Sequence, residues 1–334
     1  ANTSIFKDFL KTCHHHPLTI RFAGRWLNLK RATAGGNKGT DEILVEINAA
    51  TTDVAGTSSH LDVLHAMMLK AMSPLVKGVE TKIIRLCFAA FVTVFCKESY
   101  SVSIPVEVVT EFFLKVVENE SAVLSNEDPL FKSHGRRSSA LVPEILGALG
   151  VFSITKHSTT GTDPEKKESS IRIDHVVIRR FSEQIFADMD MQHLVRHSEQ
   201  RWNEAYVQSY LHSKSNLLWD ELKPDRSRKY ALDKAPTHMI QAEMYDDVES
   251  LLRNESFIRG RFWSKGWTEG TRAHVTDVER FWEMAQYEKD ESDVISTFEQ
   301  LESVLMEEVA RESGGPNGRC TTLEAGRCLH EISL

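Results

Sequence analysis

Residues 13–27, with the sequence CHHHPLTIRFAGRWL, decide how the first part of this chain folds. Apolar residues at helical spacing precede them and predict a short amphipathic helix. Pro17 ends that helix because proline has no backbone N–H donor and a fixed φ. The same proline suits the first turn of a second helix, so the stretch predicts a helical hairpin in a helical domain.

Composition limits the classes of protein to which the chain can belong. The chain has 334 residues, which is long enough for two or three small domains. Of these residues 41% are hydrophobic, and the net charge is -8. The sequence has no membrane-span-length apolar run and no signal-peptide pattern, so we expect a cytoplasmic protein without membrane contact. The cysteines are odd in number and scattered, which predicts a reducing compartment and no disulfide framework: Cys13, Cys87, Cys96, Cys320 and Cys328.

Hydrophobic periodicity predicts a mainly α fold in four parts. Residues 1–76 read as helices. Residues 77–190 read as three helices followed by strands at 151–155 and 170–174, which predicts a winged helix with one β-hairpin wing; Ser138 and Ser139 are expected to cap its third helix. Residues 191–312 predict an α-superhelical segment, and residues 313–334 a linker and the start of a further helical repeat.

No catalytic or metal-binding set emerges from the sequence, so we do not expect an enzyme. The three adjacent histidines of residues 14–16 point in different directions at a helix end and have no further ligand at a suitable spacing. The sequence contains no G-x-x-x-x-G-K-[ST] pattern, the loop that binds nucleotide phosphates. The predicted third helix carries Glu144 as its one charge and the chain is acidic, so nucleic-acid binding is disfavoured.

Several stretches resemble one family. Residues 13–19, CHHHPLT, resemble the GLPLA motif of NB-ARC nucleotide switches, the STAND-class ATPases of apoptotic and plant immune receptors, where the usual run is Cys-Gly-Gly-Leu-Pro-Leu-Ala. Residues 86–91 and 103–113 are similar to the entry of the family's winged helix. Residues 230–243 and 251–258 resemble the helical domain that follows it in apoptotic protease-activating-factor-like proteins. The order of these stretches matches the family along nearly the whole chain.

The resemblance extends to His175, which falls where the family has its MHD motif, whose histidine contacts the β-phosphate of the nucleotide. Here Asp174 replaces the methionine and Val176 the aspartate. A register in which Asp174 matches the histidine stays open. We favour His175, because an imidazole can donate a hydrogen bond to phosphate, whereas a carboxylate repels it.

The resemblance implies that residues 1–76 are the ARC-type helical domain of an ADP/ATP-dependent signalling switch that controls oligomerisation. Pro17 and Leu18 would form the adenine-side wall, and His175 would sense the β-phosphate. The implied cofactor is ADP or ATP, bound together with the missing nucleotide-binding half. The implied partners are an upstream P-loop domain of the same protein, further copies in a homo-oligomer, and an unknown sensor ligand.

Two alternatives stay open beside this interpretation: a winged-helix nucleic-acid-binding protein and a helical scaffold for protein partners. The motif also departs from the family at its glycines, which histidines replace at positions 14 and 15. Because glycine adopts the left-handed conformation most easily, we expect this helix end to lack the easy left-handed turn of the motif.

Overall fold

The computed structural model describes residues 3–33, 39–55, 60–71, 81–96, 103–124, 129–149, 151–157, 168–173, 198–212, 219, 226–285 and 291–312. The chain divides after Ser198 into two compact units. The described residues are mainly helical and include one small antiparallel sheet, so the predicted α class is confirmed. The predicted domain boundaries after residues 76, 190 and 312 stay predictions.

The first unit begins with four helices, of which α3 contacts the other three. Helices α1 and α2 both contact α3, and α2 and α3 also contact α4. The bounds are α1 Thr3–Thr12, α2 Pro17–Thr33, α3 Thr40–Ala55 and α4 His60–Ala71. Helix α2 is amphipathic: Phe22 and Trp26 are buried, whereas Arg21 and Gly24 are exposed to solvent.

The second half of this unit combines three helices with three short strands in its described residues. Its elements in chain order are α5 Thr81–Phe95, β1 Ile104–Pro105, α6 Val106–Leu124, α7 Pro129–Leu149, β2 Ser153–His157 and β3 Glu168–Arg172. The sheet order is β1-β3-β2, and both pairings are antiparallel. Ile171 in the central strand stands opposite Ile104 on one side and Ile154 on the other, which places its buried side chain in the core.

Phenylalanine rings from two helices and from the segment just before β2 pack together in the core of this half. The centroids of Phe91 and Phe152 are 4.6 Å apart, and those of Phe95 and Phe112 are 5.1 Å apart in an edge-to-face arrangement. Such aromatic pairs add about 0.5–1.5 kcal/mol each beyond the burial of their area. The core therefore joins α5, α6 and the segment before β2.

Two local predictions in this half were wrong in their bounds. Ser138 and Ser139 lie inside α7, because the helix already begins at Pro129, a residue whose missing N–H and fixed φ suit a first helical position. The strands lie at 153–157 and 168–172 instead of 151–155 and 170–174. Val151 and Phe152 are buried just before β2, so the apolar pattern marked core packing rather than strand pairing.

The second unit is helical in its described residues. Its elements are α8 Ser198–Tyr206, a π-helical continuation Val207–His212, α9 Arg226–Gln241, α10 Tyr245–Leu252, α11 Glu255–Lys265, α12 Trp267–Ala285 and α13 Glu291–Glu312. Helices α11, α12 and α13 share a hydrophobic cluster made of Ile258, Phe262, Trp267, Leu301, Val304 and Leu305.

Apolar periodicity predicts no helix over α11 and predicts a helix only from Val275 where α12 begins at Trp267, eight residues earlier. Asn254 caps α11 by accepting a hydrogen bond from the backbone N–H of Phe257 at 3.0 Å. Gly266 ends it with a φ of 85°, a conformation that favours glycine. These two signals, with the eleven residues of the helix between them, are the ones that could have located it.

Candidate functional site

The turn between α1 and α2 contains two consecutive residues in the left-handed conformation. His14 has a φ of 50° and His15 a φ of 53°. The backbone N–H of His14 donates to the Lys11 carbonyl at 2.8 Å, and that of His15 donates to the Leu10 carbonyl at 3.1 Å. The expectation that this helix end lacks a left-handed turn was therefore wrong. Histidine is one of the few residues other than glycine that is enriched in this region.

The residues next to this turn fix its position. Cys13 is fully buried, and this burial raises the pKa of its thiol to about 12, so it stays neutral near pH 7. The backbone N–H of His16 donates to the Cys13 carbonyl at 3.0 Å, and the His16 carbonyl in turn accepts from the N–H of Ile20 at 3.0 Å. The thiol thus serves as a packed apolar group and not as a nucleophile or metal ligand.

Pro17 and Leu18 follow directly and begin α2. The ring of Pro17 is exposed, and the side chain of Leu18 is half-buried. This end of the helix therefore presents an apolar ring to solvent beside backbone N–H groups that the helix does not use. The structure brings Pro17 and Leu18 together, as two adjacent residues must be. His175 and Asp174 lie outside the described residues.

A second group of buried polar residues surrounds His238 in the second unit. Its Nδ1 lies 2.8 Å from Asn203 Oδ1, and its Nε2 lies 3.0 Å from the hydroxyl of Tyr230. Asn203 Nδ2 donates to the Glu199 carbonyl at 2.8 Å, which orients the amide so that Oδ1 faces the imidazole. Nδ1 of the neutral ring therefore carries the proton, and the Tyr230 hydroxyl donates to Nε2.

Burial lowers the pKa of His238 to about 3, with a smaller contribution from the charge of Lys234. The ring of Tyr206 packs against the imidazole at 4.3 Å, and burial raises the pKa of this tyrosine. The group is thus a neutral hydrogen-bonded core. Sequence reasoning did not find it, because the partners are 8 and 35 residues away from His238.

A third group surrounds Arg261, whose side chain is completely buried. Its Nη2 donates to Asp277 Oδ2, and its guanidinium lies 4.6 Å from the centroid of the Phe257 ring. Its Nε donates to the backbone carbonyl of Leu232 at 2.8 Å. In a regular helix the N–H of residue 236 would fill that position, but residue 236 is Pro236 and has none. Arg261 therefore supplies the donor that the proline removes.

His274 lies close to this group and is also completely buried. Burial lowers the pKa of its imidazole well below the ordinary value, and the positive charge of Arg261 lowers this pKa further. A hydrogen bond with the Leu252 backbone has a smaller, opposite effect on the pKa. The ring is therefore neutral.

Neither unit shows a metal site or a membrane span in its described part. Among the described residues, no three side chains of histidine, cysteine, aspartate or glutamate are grouped as metal ligands. No helix in the described ranges is both long and apolar enough to cross a membrane. Comparison with models of known protein families gives no match, and comparison with curated proteins gives none either.

The left-handed histidines lead to a first prediction. The changes His14→Gly and His15→Gly should each raise the free energy of unfolding by about 1 kcal/mol, because glycine adopts this φ without the steric cost of a Cβ. Urea unfolding of the chain measures the change. Arg21→Gly, at an exposed position inside α2, is the matched control and should lower the value by about 1 kcal/mol. A loss of stability in both histidine variants would contradict the assigned turn.

The proline–arginine pair leads to a second prediction. Arg261→Leu should lower the free energy of unfolding by about 3–5 kcal/mol, because Asp277 is left buried without its partner. The change Pro236→Ala restores an N–H that can donate to the Leu232 carbonyl. Its effect on the free energy of unfolding should therefore be about 1 kcal/mol more favourable in the Arg261→Leu background than in the wild type. The change Pro143→Ala inside α7 of the first unit should be additive with Arg261→Leu. Coupling at Pro143 as large as at Pro236 would refute the assignment.

The depressed pKa of His238 leads to a third prediction. The unfolded chain binds a proton below a pH of about 6.5, whereas the native ring does not bind it until about 3. His238 therefore makes stability fall on acidification through this window, by about 1.4 kcal/mol per pH unit. The free energy of unfolding should be measured as a function of pH between these two values. In His238→Gln its slope against pH should be smaller by the equivalent of about one bound proton. Tyr230→Phe keeps the imidazole and should keep the slope; an unchanged slope in His238→Gln would exclude the buried neutral ring.

Proposed function

We propose that the chain is the regulatory helical part of an ADP/ATP-dependent signalling switch of the NB-ARC type. The observation that carries the proposal is the backbone at residues 14 and 15. Both residues are left-handed, and they stand where the family motif has its two glycines. Residues other than glycine pay about 1–2 kcal/mol each in this conformation, and the backbone path into Pro17 is nevertheless one that two glycines adopt without that cost.

The surface at the start of α2 fits the role that the resemblance assigns to it. An exposed proline ring beside a half-buried leucine offers an apolar surface against which a planar base can pack. On this proposal Pro17 and Leu18 bind the adenine side of the nucleotide. His175 donates a hydrogen bond to the β-phosphate, and this contact favours the closed state.

The order of elements between residues 81 and 173 adds support. A helix, a short strand, two helices and two strands follow each other, with the first strand paired to the last. We interpret this unit as the winged helix that moves when the nucleotide is exchanged. We interpret the helices from α9 onward as the start of a superhelix on the sensing side, in a cytoplasmic protein that oligomerises on activation.

The proposal assigns no hydrolytic step to the 334 residues, whose sequence contains no P-loop pattern. Nucleotide would be held between these residues and a P-loop domain upstream in the same protein. The side chains of this chain would bind and sense the nucleotide. A P-loop lysine would have to come from that domain.

One observation favours the nucleic-acid alternative. Helix α7 begins earlier than predicted and therefore includes the basic residues Lys132, Arg136 and Arg137. Its second half, however, exposes Ala140, Glu144 and Ala148, and these side chains include none of the base-reading donors that a recognition helix uses. The nucleotide switch is the better supported of the two.

The test of the proposal is a fourth prediction. The coding sequence upstream of Ala1 should contain a P-loop and an acidic strand, and the protein that includes them should bind a fluorescent ADP analogue. Pro17→Ala should weaken that binding about tenfold through lost apolar contact, and His175→Ala about tenfold through one lost hydrogen bond to a charged group. Fluorescence titration measures both values.

Two controls make this test specific. Arg21→Ala changes an exposed residue one turn along α2 and should leave ADP affinity unchanged. Asp174→Ala decides the register: a loss larger than that of His175→Ala assigns the phosphate contact to position 174. The absence of a P-loop upstream, or a mobility shift of duplex DNA by this chain that weakens with salt, would overturn the switch in favour of the nucleic-acid alternative.

A further inference from the structure

Helix α13 has one buried face and one exposed face that carries apolar side chains. Leu301, Val304 and Leu305 are buried in the cluster shared with α11 and α12. On the opposite face, Ile295 is 52% exposed and Met306 is 51% exposed. Glu299 and Glu302 lie between them and are exposed as well, and the spacing of four, three and four residues places all four side chains in one line. We call this line of four residues the α13 stripe.

The stripe lies on the most acidic of the described helices. Helix α13 contains seven acidic residues and one arginine, which gives it a net charge of -6 in a chain whose net charge is -8. Arg259 neutralises the side of α13 near the core, where it binds Glu307 at 2.8 Å and Glu308 at 3.2 Å. Glu299 and Glu302 make no ion pair or hydrogen bond with any described residue, so their charges face solvent.

The exposed apolar side chains and carboxylates of the α13 stripe together indicate which kind of partner could bind it. A nucleic acid or an anionic lipid surface would be repelled by the two free carboxylates. A second copy of α13 would place the same glutamates against each other, and like charges at close range disfavour such pairing. A helix with an apolar line flanked by lysine or arginine satisfies both features, because its apolar residues cover Ile295 and Met306 while its cations meet Glu299 and Glu302.

We propose that the α13 stripe is the docking surface for a basic amphipathic helix of another protein. Ile295 and Met306 are eleven residues apart, which corresponds to about 16 Å along the helix axis, so the bound helix needs about three turns. The two apolar side chains mark the ends of the contact, and the two carboxylates fix its register and attract the partner over long range. This assignment does not depend on nucleotide binding.

The probe for this fifth prediction is a fluorescein-labelled peptide of leucine and lysine with helical periodicity, about four turns long. Fluorescence anisotropy should show saturable binding to the chain with one peptide per chain, and the affinity should fall with added salt. The double change Glu299→Lys and Glu302→Lys should weaken binding at least about tenfold. The same variant should gain affinity for the matching peptide of leucine and glutamate, and Ile295→Ser with Met306→Ser should weaken binding of both peptides.

Matched controls come from α12 of the same unit. Glu279 and Glu283 are exposed and four residues apart, so changing both to lysine alters the net charge equally without touching the stripe. Met284 is 55% exposed and serves as the apolar control in Met284→Ser. Both controls should bind the leucine–lysine peptide within about twofold of the wild type. Equal losses in the α12 variants, or no gain of the acidic peptide on charge reversal, would overturn the proposal, with circular dichroism confirming that every variant is folded.

Discussion

A proline has no backbone N–H, and both units of this chain are organised around one such missing donor. Pro17 stands at a first helical position, where the helix needs no N–H donor. The steric cost lies in the turn before it, where His14 and His15 are left-handed. Pro236 stands inside α9, where a donor is needed, and Arg261 supplies it from α11. The first case sets how α2 leaves α1, and the second joins α9 to α11.

Arg261 also explains why a charge can be buried in the second unit. A buried guanidinium is costly unless its charge is paired and its N–H groups find acceptors. Here Asp277 pairs the charge, Leu232 accepts from Nε, and the Phe257 ring covers the guanidinium. His238 and His274, by contrast, are buried as neutral rings, so the unit contains only one buried charge pair among these groups.

The charge of the chain is concentrated rather than spread. Most of the net negative charge lies on α13, and Arg259 offsets only the part of it that faces α11. The proposed nucleotide surface at Pro17 belongs to the other unit and has no such concentration of acidic residues in its turn. The two proposed surfaces thus differ in chemistry: one is a small apolar wall, and the other is an acidic and apolar line.

Sequence periodicity alone determined the helical class, the helical hairpin around Pro17 and the presence of a β-hairpin, because these depend on local spacing of apolar residues. It did not determine that Ile171 pairs with Ile104, which is distant in sequence, or that α7 begins at Pro129. Only the tertiary structure decided that His14 and His15 are left-handed and that Arg261 bonds to the Leu232 carbonyl. Histidine is enriched in that conformation, but local sequence does not tell which of three adjacent histidines adopts it. A buried arginine is stable only when residues far along the chain provide its acceptors.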